Sequence, residues 1–457
     1  MKPRLPLVSP LLLCACLVAT LRGVEPLLVC GNQPALAAPE WIRHETIYEV
    51  NVRQFSAAGN FAGVEEQLPR LRQLGVGVLW LMPIYPIGVE NRKGTLGSPY
   101  AVRDYYGVNP EFGTETDFAR LVTAAHAQGF RIVLDWVPNH AAWDNPLVKE
   151  HPDFFVHDAQ GRCVPPVDTD WTDVVQFDFK NPAVRDYETA AMIHWIQRFG
   201  IDGFRCDFAK GLPTAVWDEI SARLRAVRPD LFLLAEADLP QEQLRAFDAA
   251  YSFGMMKVFT DVAAGGAEVS KIEDELVRTQ VAFPRGAPLI RYTTNHDENS
   301  WAGTDLERLG GGVEAFAVMT FMLDGIPLIY NGQEAGLDRR LKFFEHDPIP
   351  WQPSPRADFY RTLCHLRHAD PALATGAPMR RIDTTVNGSV YAILREAGAH
   401  RVISFCNLTA KDATVDAVDS VLNGRWRDAF TGETITWQVP VSFPLPSWKY
   451  RVLVSAE

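Results

Sequence analysis

The sequence predicts an α/β fold: a closed eight-stranded (β/α)8 TIM barrel with a short insertion after the third strand and a C-terminal antiparallel β-sandwich domain. Three observations carry this. Between residues 46 and 331, eight short apolar runs alternate with helical patterns, the rhythm of parallel strands joined by crossover helices. After Val137 a Trp-, Pro- and Asp-rich stretch, Asn139 to Asn181, has no clean helix and is too long for an ordinary strand-to-helix loop. Beyond Leu373 the pattern changes to alternating segments, Val390 to Leu394, Val402 to Cys406 and Tyr450 to Val454, with turn signals at Asn387-Gly388 and Asn423-Gly424. The expected division is a leader over 1–37, barrel over 38–137 and 182–373, insertion over 138–181, and an all-β domain over 374–457.

In chain order, Thr46 to Phe55 reads as a strand, Val64 to Leu74 as a helix, Val76 to Ile84 as a strand, Thr116 to Gln128 as a helix and Arg131 to Val137 as a strand. After the insertion, Ala190, Ile193, Trp195 and Ile196 fall at roughly helical spacing within Tyr187 to Phe199. Gly200 then turns the chain into a strand where Phe204, Cys206 and Phe208 share one face and Arg205 and Asp207 the other. In a sheet covered on both sides, charges on one face are costly unless paired or used. Leu231 to Ala237, Ala249 to Phe253, Leu289 to Asn295 and Ile326 to Asn331 complete the eight strands.

A chain of 457 residues with 47% hydrophobic and 11% aromatic content can bury a sizeable core. Its net charge of −12 argues against nucleic acid or an anionic membrane as partner. Lys2 and Arg4 before the apolar run Leu11 to Leu21 read as an export signal, with a small-x-small cleavage site at Ala35-Leu36-Ala37. Export to the periplasm or the extracellular space follows. As an alternative, Leu13-Cys14-Ala15-Cys16 loosely matches a lipoprotein box that would leave Cys16 acylated. Outside the leader, Cys163, Cys206, Cys364 and Cys406 are widely separated and lack metal-ligand spacing. No essential disulfide is expected.

Four strand ends carry polar clusters, at the face where barrel enzymes keep their sites. Asp135, Asn139 and His140 follow the third strand, Arg205 and Asp207 the fourth, Glu236 the fifth, and His296 and Asp297 the seventh. Such a set allows either a metal-assisted reaction or glycoside hydrolysis, and retaining hydrolysis needs a carboxylate nucleophile facing a carboxylic acid. Arg205 beside Asp207 favours its ionisation, so Asp207 is the expected nucleophile. The apolar run before Glu236 favours its protonated form, so Glu236 is the expected acid. Asp297 is then placed to favour positive charge on the sugar in the transition state.

From about Ile47 to the C-terminus the chain resembles the α-amylase family of retaining glycoside hydrolases, because these four segments resemble that family's four signature regions in order. The resemblance implies the same roles for Asp207, Glu236 and Asp297, makes Arg205 the partner of Asp207, and makes His140 and His296 contacts to the sugar before the cleaved bond. Tyr100, in Gly97-Ser98-Pro99-Tyr100, resembles the tyrosine that stacks on that sugar, and Lys210 matches the lysine on the leaving-group side. The histidine that usually follows this lysine is Gly211 here, and Phe177 replaces a common proline in Gln176-Phe177-Asp178-Phe179. Many relatives hold a structural calcium with the equivalent of Asn139, acids of the insertion and a backbone carbonyl. Here those acids lack ligand spacing, so no cofactor and no metal is expected to be required, with a structural calcium as the alternative.

The resulting expectation is an exported hydrolase of α-1,4 links in neutral α-glucan oligosaccharides. A transglycosylase or isomerase of the same family is the alternative, and a catalytically inactive binding relative is disfavoured by the intact acids. Sugar rings present apolar faces, so aromatic platforms are expected at the barrel mouth. Tyr85, Tyr105, Trp136 and Trp171 are rim aromatics, and the polar neighbours of Trp143 and Trp301 make those two the candidates for sugar contacts.

Overall fold

The computed structural model describes residues 28–456. Lys2, Arg4, the run Leu11 to Leu21, Cys14 and Cys16 lie outside the described residues. Eight strands are present where the sequence places them: β1 (Ile47–Val50), β2 (Val78–Leu81), β3 (Arg131–Trp136), β4 (Gly203–Cys206), β5 (Phe232–Ala235), β6 (Ala249–Tyr251), β7 (Leu289–Arg291) and β8 (Ile326–Tyr330). All pair in parallel, and β8 closes on β1 with Leu328 opposite Ile47. Alternation along the strands sorts the side chains. Ile47, Val78, Trp80, Val133, Leu234 and Leu328 fill the barrel interior, while Tyr48, Leu79, Leu134, Phe204, Leu233 and Ile329 pack outward in the core shared with the helices.

The strands are mostly shorter than their patterns, and two departures have a visible cause. The first strand ends at Val50 and Val52–Phe55 forms a helical turn, because the Asn51 N–H is taken by the Asn331 side chain at 2.7 Å rather than by a strand neighbour. The helix expected over Val64 to Leu74 is split into Phe61–Glu65 and Leu68–Leu74, since Pro69 lacks the N–H that a continuous helix would need. By contrast Pro182–Phe199 is one unbroken helix, capped by the Asn181 side chain and ended by Gly200 in the left-handed region (φ 70°), which turns the chain into β4.

Within the insertion, His140–Ala142 pairs antiparallel with Val174–Gln176. The C-terminal domain has a six-stranded antiparallel sheet, ordered Met379–Arg381, Val390–Ala397, His400–Asn407, Tyr450–Ser455, Gly424–Asp428 and Thr434–Trp437. The pair Ala413–Ala417 and Val441–Leu445 packs with it around Trp426, Phe405 and Phe443. Two buried arginines hold the base of the barrel, Arg395 from this domain and Arg367 from the helix Pro355–Ala369. Arg395 donates to the carbonyls of Met322 (3.2 Å), Ala374 (2.8 Å) and Ala377 (3.2 Å). Arg367 donates to those of Arg43 (2.9 Å), Gly325 (3.0 Å) and Leu373.

The chain before the barrel is part of the folded body. Cys30 N–H donates to Ala282 (2.8 Å), Arg285 N–H to Gln33 (2.7 Å), Ala35 N–H to Arg285 (3.0 Å) and Leu36 N–H to Gln243 (2.8 Å). Cleavage after Ala37, the site expected from sequence, would strip this bonded segment and expose the groups it covers. Among the described residues Cys30, Cys163, Cys206, Cys364 and Cys406 are all free thiols.

Candidate active site

The C-terminal ends of the strands surround a cavity of about 680 Å³ whose lining includes Asp207, Glu236 and Asp297. At its floor lies Arg205 of β4, fully buried. Its guanidinium faces the rings of Trp80 (5.1 Å), Tyr251 (5.7 Å) and Tyr100 (5.9 Å), an electron-rich setting suited to a buried cation. Nη1 donates to Asp207 Oδ1 at 2.8 Å and Asp135 Oδ1 at 2.9 Å. Nη2 lies 2.8 Å from Glu236 Oε1 as an ion pair without hydrogen-bond alignment.

One guanidinium therefore serves three carboxylates, and this alters the electrostatic assignment made from sequence. Burial, then Glu236 and Asp135, push the Asp207 carboxyl well above its ordinary range, and Arg205 only partly offsets them. Asp135 is raised by burial to about 6 against the pull of Arg205 and His296. The expectation that Arg205 would keep Asp207 ionised took the pair in isolation. In the folded site the carboxylates outnumber the cation, which favours holding a proton within the cluster. Glu236 is not in the apolar setting its sequence neighbours suggested either: besides Arg205 it meets the Phe208 N–H, which donates to Oε2 at 2.7 Å. Phe208 points that N–H at the acid from a left-handed backbone (φ 44°), a conformation costly for a residue with a Cβ and concentrated at functional sites.

A second buried chain supports the first. His296 Nδ1–H donates to Glu49 Oε1 at 2.5 Å and Nε2–H to the Tyr100 hydroxyl at 2.8 Å, and Tyr100 donates to Asp135 Oδ2 at 3.0 Å. Trp80 Nε1–H reaches the same Asp135 oxygen at 3.1 Å. Burial disfavours charge on His296, but Asp297 and Glu49 outweigh it and raise its pKa to about 9, so the ring is cationic at neutral pH. Asp297 Oδ2 lies 3.5 Å from Nε2, and its side chain is 45% exposed into the mouth. His140 is the opposite case: burial lowers it to about 3 and leaves a neutral ring against Trp171.

Tyr100, His140, Lys210, His296 and Trp301 all line the cavity, with Tyr100 stacked on His296 (5.4 Å, 19°). Arg205 lies beneath them. Trp143 is not part of the lining. Its indole N–H donates to the Thr172 carbonyl at 2.9 Å and its ring packs against the core. The polar neighbours that suggested exposure are engaged elsewhere, Asp144 with Val89 N–H and Arg103, and Asn145 with the Val102 carbonyl. Trp171 lines the cavity from the insertion, edge-on to Phe208 at 5.2 Å. Trp301 is 57% exposed and meets Phe343 (5.3 Å) and Phe344 (5.9 Å). Sequence reading missed Glu49, Phe208, Lys93, Phe343 and Phe344. Only Glu49 had a signal, a lone carboxylate within the apolar run Ile47-Tyr48-Glu49-Val50.

The donors do not fit the calcium that the family resemblance raised. Asn139 makes a contact to His140 Nδ1 at 3.3 Å, and its carbonyl accepts the Phe177 N–H. The acids of the insertion point to other partners: Asp158 to Arg162, Asp173 to Lys93 and Asp153 to Asn181. Among the described residues no group of three or more His, Cys, Asp or Glu side chains is arranged so that it could hold a metal ion.

Residues 43–349 match the alpha-amylase catalytic domain family. The chain belongs to the α-amylase family. It is thus a glycosidase of that family, related to hydrolases and transglycosylases alike. It is 29% identical over 83% of its length to alpha-amylase MalA of Haloarcula japonica, of which it spans 55%. It is 27% identical over 72% of its length to the trehalose synthase/amylase TreS of Mycobacterium tuberculosis, spanning 69% of that protein. Among solved α-amylase family structures, the noncanonic maltogenic alpha-amylase AmyB of Thermotoga neapolitana superposes with a TM-score of 0.84 at 30% identity, covering 91% of this chain and 99% of the other.

Proposed function

We propose that this protein is a retaining α-glycoside hydrolase that cleaves α-1,4-glucosidic bonds of maltooligosaccharides through a glycosyl ester on Asp207. The observation that carries the reading is the placing of Asp207 and Glu236 on the two terminal nitrogens of one buried guanidinium. Such a pair is close enough to address opposite sides of one glycosidic bond, as retention requires. With Oδ1 held by Arg205, Oδ2 of Asp207 attacks the anomeric carbon while Glu236 gives its proton to the glycosidic oxygen and the aglycone departs. Water then attacks the same carbon, losing a proton to Glu236, and the ester bond to Asp207 breaks. For the first step Glu236 must carry the proton and Asp207 must be ionised when substrate arrives.

The cationic His296 and Asp297 flank the sugar before the cleaved bond, positioning its hydroxyls and favouring positive charge at the anomeric carbon. The deep cavity also supports a second reading, transfer of the glycosyl group to another sugar, because enclosure limits the water that can reach the ester. Export is proposed on Lys2, Arg4 and the apolar run that follows. To test the reaction, the enzyme is incubated with a fluorinated α-glucosyl fluoride and digested. A glycosyl mass increment on the peptide containing Asp207, with maltose and glucose released from maltopentaose, supports hydrolysis with retention. An increment on another residue overturns the assignment, and trehalose or longer chains as the main products favour transfer.

A further inference from the structure

The general acid enters from β5, so the aglycone leaves on that side and the glycone points across the mouth. In the barrel order the strand opposite β5 is β1, flanked by β2 and β8. Two adjacent buried residues in the turn after β1 hold the loops of both neighbours. Arg53 donates to the carbonyls of Gly97 (2.9 Å) and Leu96 (3.3 Å) in the loop after β2. Gln54 donates to those of Lys342 (2.9 Å) and Glu345 (2.7 Å) in the loop after β8.

The two loops also join each other. Leu96 N–H donates to the Phe344 carbonyl at 3.0 Å, Thr95 N–H to Glu345 Oε1 at 2.9 Å, and a side chain at Gly94 would collide with Phe344, its Cβ falling 2.4 Å from that of Phe344. From the far end of the β2 loop, Lys93 Nζ reaches the insertion, donating to the Asp170 carbonyl at 2.9 Å and pairing with Asp173 at 3.3 Å. The insertion, Lys93, and Phe344 with Phe343 thus form a continuous wall over β1, and all three lines of contact border the cavity. Phe343 lies stacked 6.2 Å from Tyr100.

We propose that this wall ends the glycone side of the cleft, so that the enzyme attacks maltooligosaccharides from the non-reducing end, with Lys93 donating hydrogen bonds to the terminal sugar's hydroxyls. The proposal rests on the reading of function above. It is tested with maltopentaose and the same chain carrying a 4,6-ketal on its non-reducing glucose, products being resolved by chromatography. The ketal removes two hydroxyls and adds bulk where the wall stands. The intact chain is expected to be shortened stepwise from that end, and the blocked chain to be cut at least about 100-fold more slowly in kcat/KM.

Lys93→Ala combined with Phe344→Ala is expected to narrow that difference by about tenfold. The wild-type comparison stands on its own if this variant does not fold. Blocked and intact chains cut at similar rates, or early internal cleavage giving mid-length products, would overturn the wall as a barrier. Turnover of neither chain, together with no label on Asp207, would instead overturn the reading of function and the proposal with it.

Discussion

Glu49 is, with Asp297, one of the two carboxylates that raise the buried His296. In the unfolded chain a histidine titrates near 6.5, and in the folded site Asp297 and Glu49 raise His296 to about 9 against its burial. Because the folded value is the higher one, this stabilisation is complete below pH 6.5 and is lost as pH rises towards and through 9. The gap corresponds to about 3 kcal/mol, at about 1.4 kcal/mol per pH unit. Glu49→Gln keeps an acceptor for Nδ1–H at the same place but removes the charge. It should lower the alkaline limb of the kcat/KM profile by at least about one pH unit and flatten the fall in urea-unfolding free energy between pH 6.5 and 9 by about 1–2 kcal/mol. Wild-type profiles in both measurements would refute the claim that Glu49 contributes to holding the charge on His296.

Other substitutions separate chemistry from support. Asp207→Asn should lower kcat by at least about 10³-fold with little change in Tm, and Glu236→Gln should do the same for natural sugars while sparing substrates with good leaving groups, which need no proton in the first step. Trp301→Ala should raise KM for maltooligosaccharides several-fold, about 1 kcal/mol for a lost ring contact, whereas Trp143→Ala should leave KM unchanged and lower Tm. Treatment with EDTA followed by gel filtration should leave activity and Tm unchanged, since the insertion's acids are engaged elsewhere; a loss restored by calcium would show a site formed on binding. N-terminal sequencing of exported protein should find a start upstream of Cys30, because residues from Cys30 to Leu36 are bonded to the barrel; a start at Ala38 with unchanged Tm would show that this segment contributes nothing.

The barrel and its acids were legible because they depend on local pattern. Asp207 shares a strand face with Arg205, and Glu236 ends an apolar run, so both stood out as charges that packing alone does not explain. Glu49 carries the same signal inside β1, yet its use depends on a histidine from the loop after β7. Pairing across the barrel is what local pattern does not contain. For that reason Arg205 read as the partner of one carboxylate and proved to serve three. The sequence favoured Trp143 over Trp171 as a sugar contact, and the route of the insertion decides that Trp171 borders the cavity instead. Phe208 and Phe344 gave no signal, since their roles rest on a backbone conformation and on the meeting of two loops far apart in the sequence.

The arginines beneath the barrel bear on the order in which the molecule can be assembled. A ribosome delivers β8 long before the strand that carries Arg395, whose partner Met322 lies 73 positions earlier. When Ile326–Tyr330 first meets Ile47–Val50, the carbonyls of Met322, Ala374 and Ala377 have no donor from the C-terminal sheet. Until the tail domain folds, the Met322 carbonyl just ahead of β8 therefore lacks the donor that Arg395 supplies, and the tail domain is what fastens this corner of the barrel. A truncated chain that stops after the barrel keeps every acid of the active site and the pairing of β1 with β8, but leaves the Met322 carbonyl without this donor.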